Sequence, residues 1–148
     1  NALQYCAEKF GEQFSHFVSL PPTSPLRTAQ DIDNCIQKLL SEDCDTVTSM
    51  VEVNMMFHGI KQKQILEEDQ VVPYLTEESG RTAYYQLPKV YVRNCAIYAS
   101  KVKVLENEAM IGTNCKAYIM PAERSIDINE MIDFEFSEFL FEKNKKRN

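Results

Sequence analysis

The sequence predicts an α/β domain in which a mainly parallel sheet is covered by helices on both faces. Segments with helical periodicity and segments with strand periodicity alternate along the chain, which is the pattern of such folds. The composition of the 148 residues, 44% hydrophobic and 26% charged, is typical of a globular protein. Neither an internal repeat nor a low-complexity linker interrupts the sequence. We therefore predict a single domain over residues 1–148.

The first predicted element is a short helix. Apolar residues recur at helical spacing between Leu3 and Phe10, and Gly11 then supplies a stop. An aromatic and β-branched run over residues 14–20 follows, which predicts a strand. This strand should end at Pro21, because proline has no N–H to donate to a sheet.

A second helix is predicted after residue 28. Thr28 followed by Asp31 resembles a capping box, in which two side chains satisfy free N–H groups at a helix start. The apolar positions then repeat as one helical face, namely Ile32, Cys35, Ile36, Leu39 and Leu40. Residues 46–53 alternate between apolar and polar side chains, which predicts a half-buried strand.

The second half of the sequence is less regular at first. Residues 54–88 are polar and interrupted by glycine and proline, so we predict an insertion or arm outside the central sheet. Strands are predicted over residues 91–98 and 116–120, with a short helix between them. A last helix should start near Asn129 and place four apolar residues on one face, namely Ile132, Phe136, Phe139 and Leu140.

Charge and composition exclude several classes of protein. Sixteen basic and 22 acidic side chains give a net charge of −6, the wrong sign for a general nucleic-acid binder. No apolar stretch approaches the length of a membrane helix, so we expect neither a membrane partner nor, given the charge, a nucleic-acid partner. The odd number of scattered cysteines favours a reducing cytoplasm. Five cysteines without C-x-x-C spacing suggest neither a disulfide framework nor a zinc cluster. The G-x-G-x-x-G, Walker A, H-E-x-x-H and G-x-S-x-G motifs are all missing.

Three segments carry residues typical of a ligand site. They read LPPTSPLR over residues 20–27, YVRNCAIY over residues 91–98 and ERSIDIN over residues 123–129. The first and third lie just beyond the carboxyl end of a predicted strand. In open α/β sheets ligands bind at that edge, because strand ends and helix starts expose unpaired backbone donors there.

In this order, the segments resemble the motifs of the acylneuraminate cytidylyltransferases, also called CMP-N-acetylneuraminic acid synthetases. The family patterns are L-Q-P-T-S-P-L-R, N-G-A-I-Y, and S-I-D-I-D ahead of a helix that carries D-F, here Asp133 and Phe134. The similarity covers most of the chain and corresponds to the C-terminal two-thirds of the family's domain. It implies a Rossmann-like nucleotidyltransferase fold, with CTP and a nine-carbon acidic sugar as substrates. The sugar hydroxyl would attack the α-phosphorus of CTP, with Mg²⁺, and give a CMP-sugar and pyrophosphate.

The resemblance implies a magnesium site at the third segment. Asp127 matches the first carboxylate of the family's D-x-D, to which a catalytic and metal-binding role is assigned, and Asn129 stands at the second position as a further ligand. Oxygen ligands suit a hard cation. In a strand end the two side chains would point the same way. The alternative is that Asp127 only caps the last helix.

The resemblance also implies a set of substrate-binding residues. Thr23 and Ser24 match the loop that faces the sugar and the phosphates, and Arg27 lies at the start of the next helix. Asn94 and Tyr98 match the segment whose tyrosine lines the sugar pocket. The alternatives are a stiff turn in which Arg27 only holds the loop, and a core tyrosine with a satisfied hydroxyl.

The chain departs from the family pattern at several of these positions. Pro21 replaces a glutamine that can bond a sugar, Cys95 replaces the glycine of N-G-A-I-Y, and Asn129 replaces an aspartate. Tyr84 stands near a position where the family often carries an arginine, and Arg81 is the nearest guanidinium in the sequence. Sugar recognition is therefore expected to differ from that of the family or to be lost.

The family's glycine- and lysine-containing phosphate loop is absent from the sequence. We expect that the chain lacks the N-terminal part of the domain and that these 148 residues alone do not make a CMP-sugar. Residues 54–90 would be an inserted dimerisation arm, which implies a homodimer. Two other interpretations stay open: a non-catalytic homologue used for binding or assembly, and the same chemistry on another ulosonic acid.

Overall fold

A computed structural model describes residues 2–75, 87–107 and 109–146. They group into two compact units, one of Asn1–Val51 with Arg93–Asn148 and the other of Glu52–Val92. No helix in these three ranges is both long and apolar enough to cross a membrane.

The described helices begin close to where the sequence predicts them. They are α1 (Ala2–Phe10), α2 (Ala29–Ser41) and α3 (Met131–Lys145). Gly11 ends α1 with a φ of +68°, in the left-handed region that favours glycine, and donates its N–H to the Ala7 carbonyl at 2.9 Å. The predicted capping box of Thr28 and Asp31 begins α2.

The described strands form two sheets. They are β1 (His16–Ser19), β2 (Thr46–Glu52), β3 (Lys63–Ile65), β4 (Val71–Pro73), β5 (Tyr91–Lys101) and β6 (Cys115–Ile119). The larger sheet has the order β1-β5-β2-β6, and the smaller one pairs β3 with β4. The short helix predicted before β6 is a 3-10 helix, Val102–Asn107.

Three strands of the larger sheet run in one direction. β2 is parallel to β6, whereas β1 is antiparallel to β5. Hydrogen bonds join Thr46 to Ser100 and Ser49 to Ile97, so β5 also runs against β2. The parallel pair confirms an α/β fold of the Rossmann-like kind, and the reversed strand β5 is the feature that periodicity did not predict.

The core of the first unit lies between α2 and the larger sheet. Its buried members are Cys35, Leu39, Cys44, Val47, Ala96, Ile97, Ala99 and Met120. β2 is an inner strand, and Thr46 to Ser49 are buried on both faces, so the predicted half-buried alternation is wrong there. The buried hydroxyl of Thr46 is satisfied by Ser100 at 2.9 Å and by the Gly112 N–H at 2.9 Å.

Helix α3 does not bury the predicted apolar face. Of the four apolar residues of that face only Leu140 is buried, at 8% exposure. The other buried residue of α3 is Ser137. Ile132, Phe136 and Phe139 are between 48% and 68% exposed. The apolar pattern therefore predicts the helix but not which side of it is covered.

The second unit is built from short turns around the β3–β4 pair. His58 is buried at 6% exposure, where its Nε2 lies 3.1 Å from the Pro88 carbonyl oxygen and its Nδ1 accepts the Ile60 N–H at 3.2 Å. Large apolar side chains are exposed on this unit, among them Met56, Phe57, Ile65 and Tyr74. The dimerisation arm over residues 54–90 stays a prediction.

Candidate functional site

The three motif segments meet at one edge of the larger sheet. The carboxyl ends of β1, β2 and β6 lie at this edge because these strands share a direction. The amino-terminal part of β5 lies there too, since β5 runs the opposite way. The edge therefore carries the loop after β1, Asn94 within β5, and the loop after β6.

The loop after β1 is held by Arg27. Its guanidinium donates to the carbonyls of Pro21 at 2.6 Å and Ser24 at 2.7 Å. Ser24 is fully buried, and its hydroxyl donates to the Asn94 carbonyl at 3.3 Å. Thr23, in contrast, is exposed on the same loop. These contacts make Arg27 and Ser24 parts of the loop's framework and leave Thr23 accessible to a ligand.

Asn94 is a buried junction between three parts of the chain. Its Oδ1 accepts from the Ser49 hydroxyl at 2.6 Å, and its Nδ2 donates to Ser125 at 2.8 Å. The Ser125 hydroxyl in turn donates to the Pro121 carbonyl at 2.8 Å. Asn94 therefore connects β2, β5 and the loop after β6, which is a positioning role.

Asp127 lies in the loop after β6, beside Asn129. The segment from residue 125 to 130 is a loop, so the two side chains are not at a strand end. Asn129 Nδ2 donates to Asp127 Oδ2 at 3.4 Å. The other carboxylate oxygen of Asp127, Oδ1, is buried and has no hydrogen-bond partner among the described residues. Asp127 does not cap α3, because the N-cap is Glu130.

Thr23 and Tyr98 both lie near the Asp127 loop. The Ile128 N–H donates to the Thr23 carbonyl at 2.8 Å, which joins the two loops directly. Tyr98 pairs with Ser19 of β1. Burial raises the pKa of Tyr98 to about 12, and its hydrogen bond with Cys95 and the charge of Asp127 act in the same direction, against the lowering effect of Arg93. The phenol is therefore protonated at neutral pH and can donate a hydrogen bond.

A buried carboxylate, that of Asp31, contacts residues of the loop after β1 and of the loop after β6. Its side chain is 1% exposed and accepts two bonds from Arg124, at 3.0 Å from Nε and 2.7 Å from Nη2. It also accepts from the Thr28 N–H and hydroxyl and from the Tyr118 hydroxyl. Burial would raise the pKa of Asp31, but the bonds from Arg124 and Thr28 outweigh it and lower the pKa to about 2.

Sequence reasoning did not identify several residues that build this edge. Ser49 carries no motif signal, Arg124 and Ser125 lie in the third motif segment without an assigned role, and Asp31 is visible only as half of a capping box. Asp31 and Arg124 are 93 residues apart in the chain, and Ser49 and Asn94 are 45 residues apart. Local patterns therefore could not have paired them.

The oxygen ligands that Asp127 and Asn129 offer fit a magnesium ion. A buried carboxylate oxygen without a partner is costly unless a cation or donor meets it. Within residues 2–75, 87–107 and 109–146 there is no group of three or more His, Cys, Asp or Glu side chains placed to hold a metal ion. Mg²⁺ is commonly bound by one or two carboxylates together with substrate phosphates and water, so a single carboxylate beside an amide is compatible with it.

Comparison with known proteins gives three informative relatives, although no protein-family model matches the sequence. The chain is 28% identical over 148 residues to the post-translational flagellin modification protein B of Campylobacter coli, covering 97% of this chain and 60% of that protein. It is 33% identical over 66 residues to the CMP-N,N'-diacetyllegionaminic acid synthase of Campylobacter jejuni, covering 44% and 28%. It is 26% identical over 123 residues to the N-acylneuraminate cytidylyltransferase of Streptococcus agalactiae, covering 83% and 29%. These relatives support the acylneuraminate cytidylyltransferase family at low identity.

The chain spans 60% or less of the length of these curated relatives. The similarity therefore supports the predicted family, at low identity, only over the region that the chain shares with these relatives. Tyr84, one of the positions at which this chain departs from the family pattern, and Arg81, the nearest guanidinium to it in the sequence, lie outside the described residues. Pro21 is described, and its carbonyl serves as an acceptor for Arg27.

The departure at Cys95 has a structural consequence. Cys95 has a φ of +56°, in the left-handed region where glycine is at ease and a Cβ is strained. The cytidylyltransferase pattern N-G-A-I-Y places a glycine there, which is the residue this backbone favours. The Ala96 N–H turns back to Asn94 Oδ1 at 3.4 Å, so the kink is part of the Asn94 junction.

Replacing Cys95 with glycine is expected to relieve this strain. Left-handed backbone costs a non-glycine residue about 1 kcal/mol or more. We expect Cys95→Gly to be more stable than Cys95→Ala by about 1 kcal/mol in urea denaturation, because alanine keeps the Cβ and removes only the sulfur. Equal stability of the two variants, or a more stable alanine variant, would contradict the strain.

Proposed function

We propose that this protein serves in nucleotidyl transfer from CTP to a sialic-acid-like nine-carbon sugar, with a CMP-sugar and pyrophosphate as products. The family relationship supports a nucleotidyltransferase of the CMP-sialic or CMP-legionaminic acid synthase type. The observation that carries the proposal for this chain is the buried oxygen of Asp127, which has no hydrogen-bond partner in the described part of the chain. Asp127 is held beside Asn129 on a loop bonded to Thr23.

In this proposal, the protein's part in the reaction is mainly alignment and charge compensation. Phosphoryl-type transfer needs the attacking oxygen in line with phosphorus and the developing charge neutralised. Asp127 and Asn129 would hold Mg²⁺, which when bound neutralises phosphate charge. Thr23 is the accessible hydroxyl of the loop after β1 and would bond the sugar or a phosphate.

Tyr98 supplies a donor at the proposed sugar pocket. Since its pKa is raised, the phenol keeps its proton at neutral pH and donates to an anionic or hydroxyl oxygen of the sugar. Asn94, Ser24 and Arg27 act through the loops rather than on the substrate, because their side chains bond to protein groups.

The phosphate loop of the family has no counterpart in this sequence. We therefore propose that these 148 residues alone bind the sugar side of the reaction and do not complete the transfer. Pyrophosphate release from CTP by the chain on its own, at a rate normal for the family, would contradict this part of the proposal.

The proposal is tested by calorimetric titration of CMP and of N-acetylneuraminic acid, with and without Mg²⁺. We expect Mg²⁺-dependent binding that Asp127→Asn weakens by roughly 10-fold or more, since the carboxylate charge is lost. Glu123→Gln is the matched control, because Glu123 is an exposed carboxylate on the same loop. Binding by Asp127→Asn that equals the wild type would overturn the assignment of Asp127.

Two alternatives are distinguished by the same titrations. Departures at Pro21, Tyr84, Cys95 and Asn129 favour a non-catalytic homologue, for which we expect a stable assembly that takes up neither ligand. A different ulosonic acid as acceptor would appear as binding to another sugar of a tested panel but not to N-acetylneuraminic acid.

We also propose that the protein is a homodimer whose contact lies in residues 54–90. The exposed apolar side chains Met56, Phe57 and Tyr74 support this, because large exposed apolar groups mark interaction surfaces. A chain without residues 54–88 is expected to elute as a monomer in size-exclusion chromatography while the complete chain elutes as a dimer. A shortened chain that still dimerises would remove the proposal.

A further inference from the structure

One buried side chain anchors the two loops that carry the proposed site. Asp31 lies in the first turn of α2 and is fully buried. Its Oδ2 accepts from the Thr28 N–H at 2.9 Å, the Thr28 hydroxyl at 2.7 Å and Arg124 Nε at 3.0 Å. Its Oδ1 accepts from Arg124 Nη2 at 2.7 Å and the Tyr118 hydroxyl at 3.1 Å.

These bonds join Asp31 to the two loops of the site, the loop after β1 and the loop after β6. Thr28 ends the loop after β1, on which Thr23 lies five residues earlier in the sequence. Arg124 ends the short 3-10 turn Ala122–Arg124 after β6, three residues before Asp127. The loops meet again at the bond from the Ile128 N–H to the Thr23 carbonyl. Asp31 and this bond therefore close a ring of contacts that includes Thr23 and Asp127.

We propose that Asp31 is a positioning residue that sets the placement of Asp127 relative to Thr23 through Arg124 and Thr28. The inference rests on the proposed function, because Asp127 and Thr23 are the residues to which that function assigns the metal and the substrate. Asp31 itself touches neither, and its effect is transmitted by its two partners.

The geometry requires a guanidinium at position 124. A planar fork that donates two parallel bonds to a carboxylate fixes the direction of the side chain as well as its distance. A lysine would keep the charge but only one such bond. In Arg124→Lys the loop after β6 should therefore lose its fixed orientation, whereas the positive charge beside the Asp31 carboxylate is kept.

The test compares Asp31→Asn and Arg124→Lys with Asp33→Asn. Asp33 lies on the same helix, and its side chain is exposed, so the control removes the same charge without touching the anchor. Amide chemical shifts of Thr23 and Ile128 are measured by NMR without ligand. Mn²⁺ affinity is measured by relaxation enhancement, with Asp127→Asn as the reference for loss of the site.

In Asp31→Asn and in Arg124→Lys we expect the amide chemical shifts of Thr23 and Ile128 to change. The amide chemical shifts of Val47 and Ala99, in the core, should stay the same. Mn²⁺ affinity should fall roughly 10- to 100-fold in both variants, as for groups that orient metal ligands. Asp33→Asn should match the wild type in both measurements. A purely structural role would move thermal stability in Asp31→Asn without shifting these two amides.

The outcomes separate this inference from the proposed function. If the amide chemical shifts of Thr23 and Ile128 do not change in Asp31→Asn, the inference is overturned. It is also overturned if Asp127→Asn abolishes Mn²⁺ binding while Asp31→Asn leaves the Mn²⁺ affinity unchanged. If the wild type binds no Mn²⁺, the metal assignment fails, and the amide shifts alone decide the role of Asp31. Should Asp31→Asn fail to fold, Arg124→Lys provides the same two measurements.

Discussion

Asp31→Asn is expected to lower the free energy of unfolding by about 2 kcal/mol at pH 7, and this loss should disappear in acid. The carboxylate is buried and its folded pKa is about 2, compared with an ordinary value of 3.8. The ionised form is therefore favoured by folding. The expected loss is the stabilisation that follows from that difference in pKa.

The sign of the pH dependence follows from the lowered pKa. Above about pH 5 Asp31 is ionised in both the folded and the unfolded chain, so its full contribution is present. As the pH falls toward 2, the unfolded chain takes up a proton first and the contribution is lost. Urea denaturation of wild type and Asp31→Asn between pH 7 and pH 2.5 should show their difference narrowing over the acidic part of this range.

Asp33→Asn provides the control for this measurement. Its side chain is exposed on the same helix, so we expect its stability to stay within about 0.5 kcal/mol of the wild type at neutral pH. A difference between wild type and Asp31→Asn that stays constant into acid would show that the ionised carboxylate does not supply the stabilisation.

Asn94→Ala is expected to destabilise the protein by about 3 kcal/mol, because several buried groups lose a partner at once. The Ser49 hydroxyl loses its 2.6 Å acceptor and the Ser125 hydroxyl loses its 2.8 Å donor. Asn94 is 3% exposed, so water does not replace these bonds without rearrangement. Chemical denaturation monitored by circular dichroism measures the effect.

Asn114→Ala is the matched control for Asn94→Ala. Asn114 is an exposed asparagine that donates one bond, at 3.0 Å, to the Asp43 carbonyl. Its loss should cost less than about 1 kcal/mol, since water can take its place. Equal destabilisation by the two substitutions would contradict the junction role of Asn94.

Helix α2 shows how far local sequence carries a prediction. Thr28 and Asp31 predict its start, which is confirmed. Of the predicted apolar face, Cys35 and Leu39 are buried, whereas Leu40 is 64% exposed. The same reasoning predicts α3 but not its covered side, because Ile132, Phe136 and Phe139 are exposed. Periodicity reports that a helix is amphipathic or apolar, whereas burial depends on what other parts of the chain reach it.

The roles assigned to the site residues stay predictions. The motif segments indicated Thr23, Asp127 and Tyr98, and the structure places the segments that carry them at one sheet edge. Sequence spacing could not show that Asn94 and Arg27 bond to protein groups. The glycine that the family pattern places at Cys95 is the sequence signal for a left-handed backbone there, and strand periodicity did not report it.

The sequence by itself determined the α/β class, the starts of α1 and α2, the segments of β1, β2, β5 and β6, and the family resemblance. Each depends on residues within a few positions of one another, where helical and strand periodicity, capping and turn residues act. Only the tertiary structure decided the reversed direction of β5, the covered side of α3 and the Asp31–Arg124 anchor. These depend on contacts between residues many positions apart, and such contacts form only when the strands come together in one sheet.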